Sequence, residues 1–421
     1  MAPSNPGSSL MGRGFYGWRI VAVAFFAQAI TIGLTLIPFS LFITPLVTDF
    51  DLPIASVQVG MGLFSVVMMG AGAGVGVLLD RFSIRWIMAS GALLMTVSFL
   101  LMSVVDHPWQ LAILFGVGAA AGVAMAGPLA ASTVVARWFE TKRGLAMGLA
   151  AMGPPVGGLL LTPVAGWLLA EVGWRETLQV FACATFVLAP ACLVVVRNSP
   201  EEVGQAMDGG VPGDRDPGDM KEVEEWSAGR ILRSRNFWCL ALGVGIVFGL
   251  GGGWNANSAR FGEDLGYSGL EISTLIGIAA GLGIPGTLLF GRLADQFSQR
   301  VLLWCCIGVH AGALLILWTL PGPPLFATAL FIFGFAGAGL LPVYATFIGR
   351  LFGPASFGRV MGLGGILVLP FAGLSPILVG GMRDQSGSYQ GALLLLAIGM
   401  ACGGAFLALI KVPKSNQRTG G

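Results

Sequence analysis

Residues 248–261 read FGLGGGWNANSARF: an indole, two carboxamides and a guanidinium set behind a glycine cluster at the end of an apolar run. Such groups hydrogen-bond, stack on or attract a polar small molecule, and none of them is a nucleophile. On a regular helix Trp254, Asn257 and Arg260 or Phe261 share a face, whereas Asn255 lies about 200° round from Asn257. Both amides reach one cavity only where the helix breaks, and Gly249, Gly251, Gly252 and Gly253 offer a place for the break. On this reading Trp254 and the asparagines line a cavity and Arg260 draws an anion to its outer mouth. The competing reading gives the glycines to close helix packing, Trp254 to an interfacial aromatic belt and Arg260 to snorkelling.

Gln28, Thr31 and Thr35 form a second polar stripe, spaced i, i+3 and i+7, which either faces a cavity or supplies hydrogen bonds between helices. Thr287 and Tyr344 are further candidates, Tyr344 lying six residues before Arg350 and so near the inner mouth. His310 is the one titratable group near the middle of an apolar run, and a hydrogen-bonded structural role is expected for it. Met68, Met69, Cys305, Cys306 and His310 are soft donors of the kind that hold copper, but methionine and cysteine in apolar runs are ordinary packers, so no metal is expected. No nucleophile with a base, no metal-spaced ligands and no phosphate loop occur, so enzymatic activity and a cofactor are not expected.

The elements that carry these residues are set by composition. Of 421 residues 55% are hydrophobic and 10% charged, with mean hydropathy +0.82, against about 25% charged residues in soluble domains. Twelve runs are long enough to cross about 30 Å of hydrocarbon as helices. They cover roughly 17–46, 55–80, 84–105, 108–137, 142–171, 174–196, 236–261, 269–294, 300–320, 323–350, 356–382 and 388–411. The runs lack the alternation of a barrel, so the expected class is an all-α membrane protein. With the N-terminus inside, only Arg175, Arg260 and Arg383 of the 23 Lys and Arg fall on outer segments, which places both termini in the cytoplasm. The leader Met1 to Gly14 is short and polar and the first run is too long for a cleavable signal. The six cysteines lie within the runs and read as small apolar packers. A net charge of +2 points to no charged macromolecular partner, and no nucleic acid is expected.

The segment 197–235, rich in Pro, Gly and acidic residues, separates six runs from six, dividing the chain into 1–196, 197–235 and 236–421. The halves repeat: GVLLDRFSIR at 76–85 returns as GRLADQFSQR at 291–300 with an offset of 215, Met147-Gly148-Leu149 returns as Met361-Gly362-Leu363, and Gly173 as Gly387. Two six-helix bundles in parallel orientation resemble the major facilitator fold, which implies a carrier with its site between the bundles. The loop with Gly76, Asp80, Arg81 and Arg85 is similar to the facilitator loop signature, and Gly291, Asp295 and Arg300 form its copy. WFETKRGLAMGLAAMG at 138–153, and less strongly Phe15-Tyr16-Gly17-Trp18, resemble the two signatures of the monocarboxylate transporter family. That family's charged positions depart here, with Phe39, Gly283 and Thr287 standing where the resemblance places a lysine, an aspartate and an arginine. Gly153-Pro154-Pro155-Val156-Gly157-Gly158 resembles the GPxxGG element of facilitator antiporters and favours exchange or export.

The resemblance implies alternating access in a plasma membrane, that of a bacterial inner membrane, with a small organic anion such as a monocarboxylate as cargo. The expected partners are then that small molecule and the lipid bilayer, with a coupling proton left open against uniport or exchange, and the chain is expected to act as a monomer. Loss of the family's charges keeps open a neutral or amphipathic metabolite or drug moved by an exporter or antiporter. A different class, a transporter-like sensor signalling through 197–235, stays open as well. Asp80, Arg81 and Arg85 with Asp295 and Arg300 are expected to gate by latching the inner halves in the outward-open state, each exposed pair contributing about 0–1 kcal/mol.

Overall fold

The computed structural model describes residues 15–209, 226–353 and 356–411, and among them there is helix and no strand. Twelve membrane-length helices form: α1 Gly17–Phe50, α2 Ile54–Arg81, α3 Ile84–Met102, α4 Pro108–Trp138, α5 Arg143–Glu171 and α6 Trp174–Val195. The second set is α7 Arg235–Asp264, α8 Gly269–Gln296, α9 Gln299–Trp318, α10 Pro323–Phe352, α11 Phe357–Ser386 and α12 Gln390–Ala408. Apolar length fixes these elements, and Pro, Gly and Ser punctuate them. Ser268 caps α8 together with Glu271, and the repeat-related Gly173 and Gly387 both take positive φ, 87° and 73°, where the chain turns before α6 and after α11.

Four helices depart from the uninterrupted spans that their hydropathy predicts: α5 and α8 are broken only at Met152 and Leu282, and α1 and α4 change more. α1 is helical over Gly17–Gly33, turns through 34–37, tightens to a 3-10 helix over Pro38–Phe42 and resumes over Ile43–Phe50. Pro38 has no N–H to return to the preceding turn, and its ring crowds the carbonyl there. α4 widens to a π-helix over Leu114–Ala119 and kinks at Gly127, before Pro128.

α1 packs along α5 and α3 along α6, while α7 packs along α11 and α12, and α9 along α10 and α12. The two sets meet along α2 with α11 and along α5 with α8. Small residues let those backbones approach: a Cβ on Gly62 would run into the carbonyl oxygen of Gly373, and one on Gly166 into the Ser273 side chain. Further along the same helices, toward the end carrying both termini, contact is lost. Cβ atoms built on Gly70, Gly74 and Gly76 of α2, or on Gly358, Gly362 and Gly365 of α11, meet nothing within 4 Å. The molecule is therefore two bundles shut at one end and parted at the other, with a chamber opening toward the termini.

The segment joining the bundles is tied down at its start. The Asp208 carboxylate accepts hydrogen bonds from the backbone N–H groups of Glu140 (3.0 Å), Thr141 (2.6 Å) and Lys142 (3.2 Å) in the α4–α5 loop. Partial burial pushes this carboxyl up, but the three amides outweigh it and hold it below its ordinary value.

Candidate functional site

α7 carries Trp254, Asn255, Asn257 and Arg260, and it runs unbroken from Arg235 to Asp264, so the expected break at the glycines does not occur. Gly249 and Gly253 instead receive α11, with Phe371 against the first and Ser375 against the second. Packing of this kind offsets the intrinsic cost of glycine in a helix, about 1 kcal/mol each.

With the helix straight, the two asparagines point to opposite sides. Asn257 is fully buried: its Nδ2 donates to the carbonyls of Gly253 (2.9 Å) and Pro376 (3.4 Å), and its Oδ1 accepts from the Tyr389 hydroxyl (3.5 Å). Trp254 is 1% exposed and lies edge-on to Phe261 and Phe333. The expectation that Trp254 and Asn257 line the cavity is thus corrected: both tie α7 to its own bundle, because their face of the helix meets α10, α11 and α12. Asn255 is exposed. The carbonyl of Ala256 is taken by Gln58 of α2 on one flank, and Trp254 meets α10 on the other, each about 100° away round the helix. Asn255 therefore lies on the side of α7 away from the bonds of Asn257 to α11 and Tyr389.

Arg260 is not a free cation at the mouth. Its guanidinium bonds Thr44 Oγ1 (3.1 Å) and pairs with Glu263 (3.5 Å) and Asp264 (3.6 Å), and Asp264 is also held by Arg383 (2.7 Å). The acids cancel the positive potential that the sequence led us to expect. The same cluster crosses the interface, since Thr44 of α1 also donates to Glu263. Beside it the Asp384 carboxylate of α11 accepts the N–H groups of Ile54 (3.1 Å) and Ala55 (2.9 Å) of α2, and Gln58 Nε2 donates to Ala256 O (3.0 Å). Sequence reading missed Thr44, Gln58 and Asp384. The signals it had were a lone amide inside an apolar run and an acid three residues before the repeated Gly387.

The α1 stripe turns inward to its own bundle. Gln28 Nε2 donates to Ala150 O of α5 (2.9 Å), Thr31 to Ala27 O (2.7 Å) and Thr35 to Thr31 O, and all three are buried. The expected hydrogen bond between helices is made by Gln28 alone, whereas Thr31 and Thr35 bond back to carbonyls of α1 itself. Thr35 also touches a cavity of about 60 Å³ inside the first bundle, walled by Phe39, Phe42, Phe99, Phe115 and Phe181. Phe39, where the resemblance places a lysine, stacks on Phe115 at 5.0 Å, and Phe115 stacks on Phe64 at 4.8 Å. The slot for that charge is filled by aromatic rings. Thr287 is exposed and donates to Ala338 O of α10 (3.3 Å), whereas Tyr344 is buried with its hydroxyl beside Gly364, fastening α10 to α11 rather than standing at the inner mouth.

The loop charges stand apart in this state. Arg81 and Asp295 are exposed, Arg85 is half-buried with its Nε unbonded, and the side chain of Asp80 lies outside the described residues. Arg300 donates to the carbonyls of Ile410 and Ala408 and stacks over Trp304, stapling α9 to the end of α12 instead of reaching the other bundle. His310 is buried, bonded through Nδ1 to Cys306 O (2.8 Å) and edge-on to Phe333 at 4.4 Å, a structural placement. Among the described residues no three His, Cys, Asp or Glu gather as metal ligands.

Comparison with known proteins agrees with this architecture. The profile of the Major Facilitator Superfamily matches residues 20–369 and 255–420. The chain is 25% identical over 408 residues to monocarboxylate transporter 13 of Bos taurus, covering 94% of this chain and 89% of that protein. It is 24% identical over 329 residues to the oxalate:formate antiporter of Oxalobacter formigenes, covering 77% and 75%. Among solved structures, a bacterial homologue of the human lysosomal transporter Spinster, in an inward-facing and occupied conformation, superposes with a TM-score of 0.75 at 17% identity, over 95% of this chain and 97% of that one.

Proposed function

Since the chain belongs to the Major Facilitator Superfamily, we propose that it is a secondary carrier working by alternating access, whose chamber opens to the cytoplasm in this conformation. The observation that carries the reading is the contrast between the two ends: α2 against α11 and α5 against α8 are closed at one, and α2 and α11 stand free at the other. The excess of Lys and Arg on the side of the termini supports a cytoplasmic open end and a plasma-membrane location. On this reading 1–196 and 236–421 are the rocking bodies and 197–235 is their tether.

The cargo that we infer is a small organic acid of the monocarboxylate class, a reading supported by the relatives, whose names specify monocarboxylates and an oxalate:formate exchange. Asn255 is the side chain of the α7 stretch that meets it, and the chamber face of α8 and α10 near Thr287 completes the polar surface. Uptake of radiolabelled monocarboxylates into liposomes tests this. Saturable flux is expected, with Asn255→Ala raising KM about threefold to tenfold. Flux that no carboxylate saturates would sink it. The Phe39 stack and the neutralised Arg260 favour a second reading, a neutral or amphipathic cargo, for which aromatic solutes would compete and carboxylates would not.

A further inference from the structure

The start of α2 is incomplete within its own bundle. A helix leaves its first N–H groups without partners, and the residue before the helix normally supplies a side-chain oxygen. Here that residue is Pro53, which has no such oxygen and makes no side-chain cap. The equivalent helix of the other half, α8, begins 215 residues later after Ser268, whose Oγ accepts the Glu271 N–H (3.3 Å), while Glu271 accepts the Ser268 N–H (2.8 Å). The first half has Pro53 and Ser56 where the second has Ser268 and Glu271, so it lacks both members of the capping box.

We propose that Asp384 is a cap lent across the interface: α11 completes the N-terminus of α2 only while this end of the carrier is shut, and so biases the carrier toward the state described. The two carboxylate oxygens take one amide each, from Ile54 and Ala55, and the negative charge lies at the positive end of the α2 dipole. One turn further from the solvent, Gln58 donates to α7 and keeps a buried Oε1 without a partner, and Gly380 allows α11 to touch Ile54 and Gln58. The asymmetry has a consequence for cycling. When this end opens, α8 keeps its cap and α2 surrenders its amides to water, so the cap adds to the closed state alone. Asp384 touches no cargo and is a positioning residue for the transport cycle. The inference rests on the alternating-access reading, and its test separates the two.

Spin labels on Val104→Cys and Leu325→Cys, in the full chain in lipid with Cys183, Cys305 and Cys402 replaced by Ser, report the width of this end without reference to cargo. Asp384→Ala is expected to raise the population of long distances about fivefold. Pro53→Ser, which gives α2 a cap of its own in both states, is expected to shift the distribution the same way with Asp384 intact. Asp384→Ala with Pro53→Ser is expected to stay shifted, and loss of the α8 box by Ser268→Ala and Glu271→Ala to leave the distribution as in the parent. An unchanged distribution in Asp384→Ala, or its return to the parental one on adding Pro53→Ser, would overturn the cap. Gly62→Leu, a wedge against Gly373, is the reference: if it parts this end and Asp384→Ala does not, the cap alone fails. If neither parts it, two-state access fails as well.

Discussion

On the proposed function, the two asparagines of α7 separate binding from architecture within three residues. Asn257 joins α7 to α11 and to the start of α12 through Pro376 and Tyr389, while Asn255 is exposed on the opposite side of α7. Asn257→Ala is expected to cost about 1–3 kcal/mol by leaving buried partners unpaired, and toward the lower end if other donors in the bilayer compensate. Thermal unfolding in detergent would register this as a lower Tm with an unchanged KM. Asn255→Ala is expected to give the converse pattern, a raised KM at parental Tm. Arg260→Ala has a third signature, a weaker closed end with cargo affinity intact, because its charge is already spent on Glu263 and Asp264. A loss of anion affinity in that variant without a change at the closed end would restore the anion-attracting role.

At the scale of elements, one carboxylate on three amides holds the linker to the α4–α5 loop, beside the bonds of Asn198 and Gln205 to other parts of the first bundle. Asp208→Ala is expected to release the segment to proteases near neutral pH while transport persists. The pH dependence follows from the lowered pKa of this carboxyl. Docking is fully present above the ordinary carboxylate range and is lost as pH falls through the depressed value. Cleavage that rises already between pH 7 and 5 would contradict it. The first half of α1 and the 3-10 segment that follows are a second element-scale feature. Pro38 makes the bend, and the bend lets Phe39 stack on Phe115, so Pro38→Ala is expected to disturb that stack and lower Tm before it touches the chamber.

At the scale of the whole molecule, opening and closing must trade the contacts along α2–α11 and α5–α8 for contacts at the other end, where Arg81 and Asp295 of the two loop repeats are exposed. Those loops remain our proposed latch for the opposite state; Arg81→Ala is expected to lower its population, read by the same spin-label pair. Twelve spans, their order and the two-bundle class of the fold were legible in the linear chain. Hydrocarbon thickness sets helix length and duplicated halves keep their offset, and both are local or periodic properties. The α7 site was half legible. Helical geometry alone put Asn255 and Asn257 on opposite faces, but which face looks inward depends on where α10, α11 and α12 lie, and no periodicity carries that information. Likewise the acids that silence Arg260 stand within one turn of it in sequence, yet their geometry is settled by Thr44 and Arg383 from other helices. The bond between Asp384 and the start of α2 spans more than 300 residues; composition could locate neither partner, because it exists only when two separately folded bundles meet.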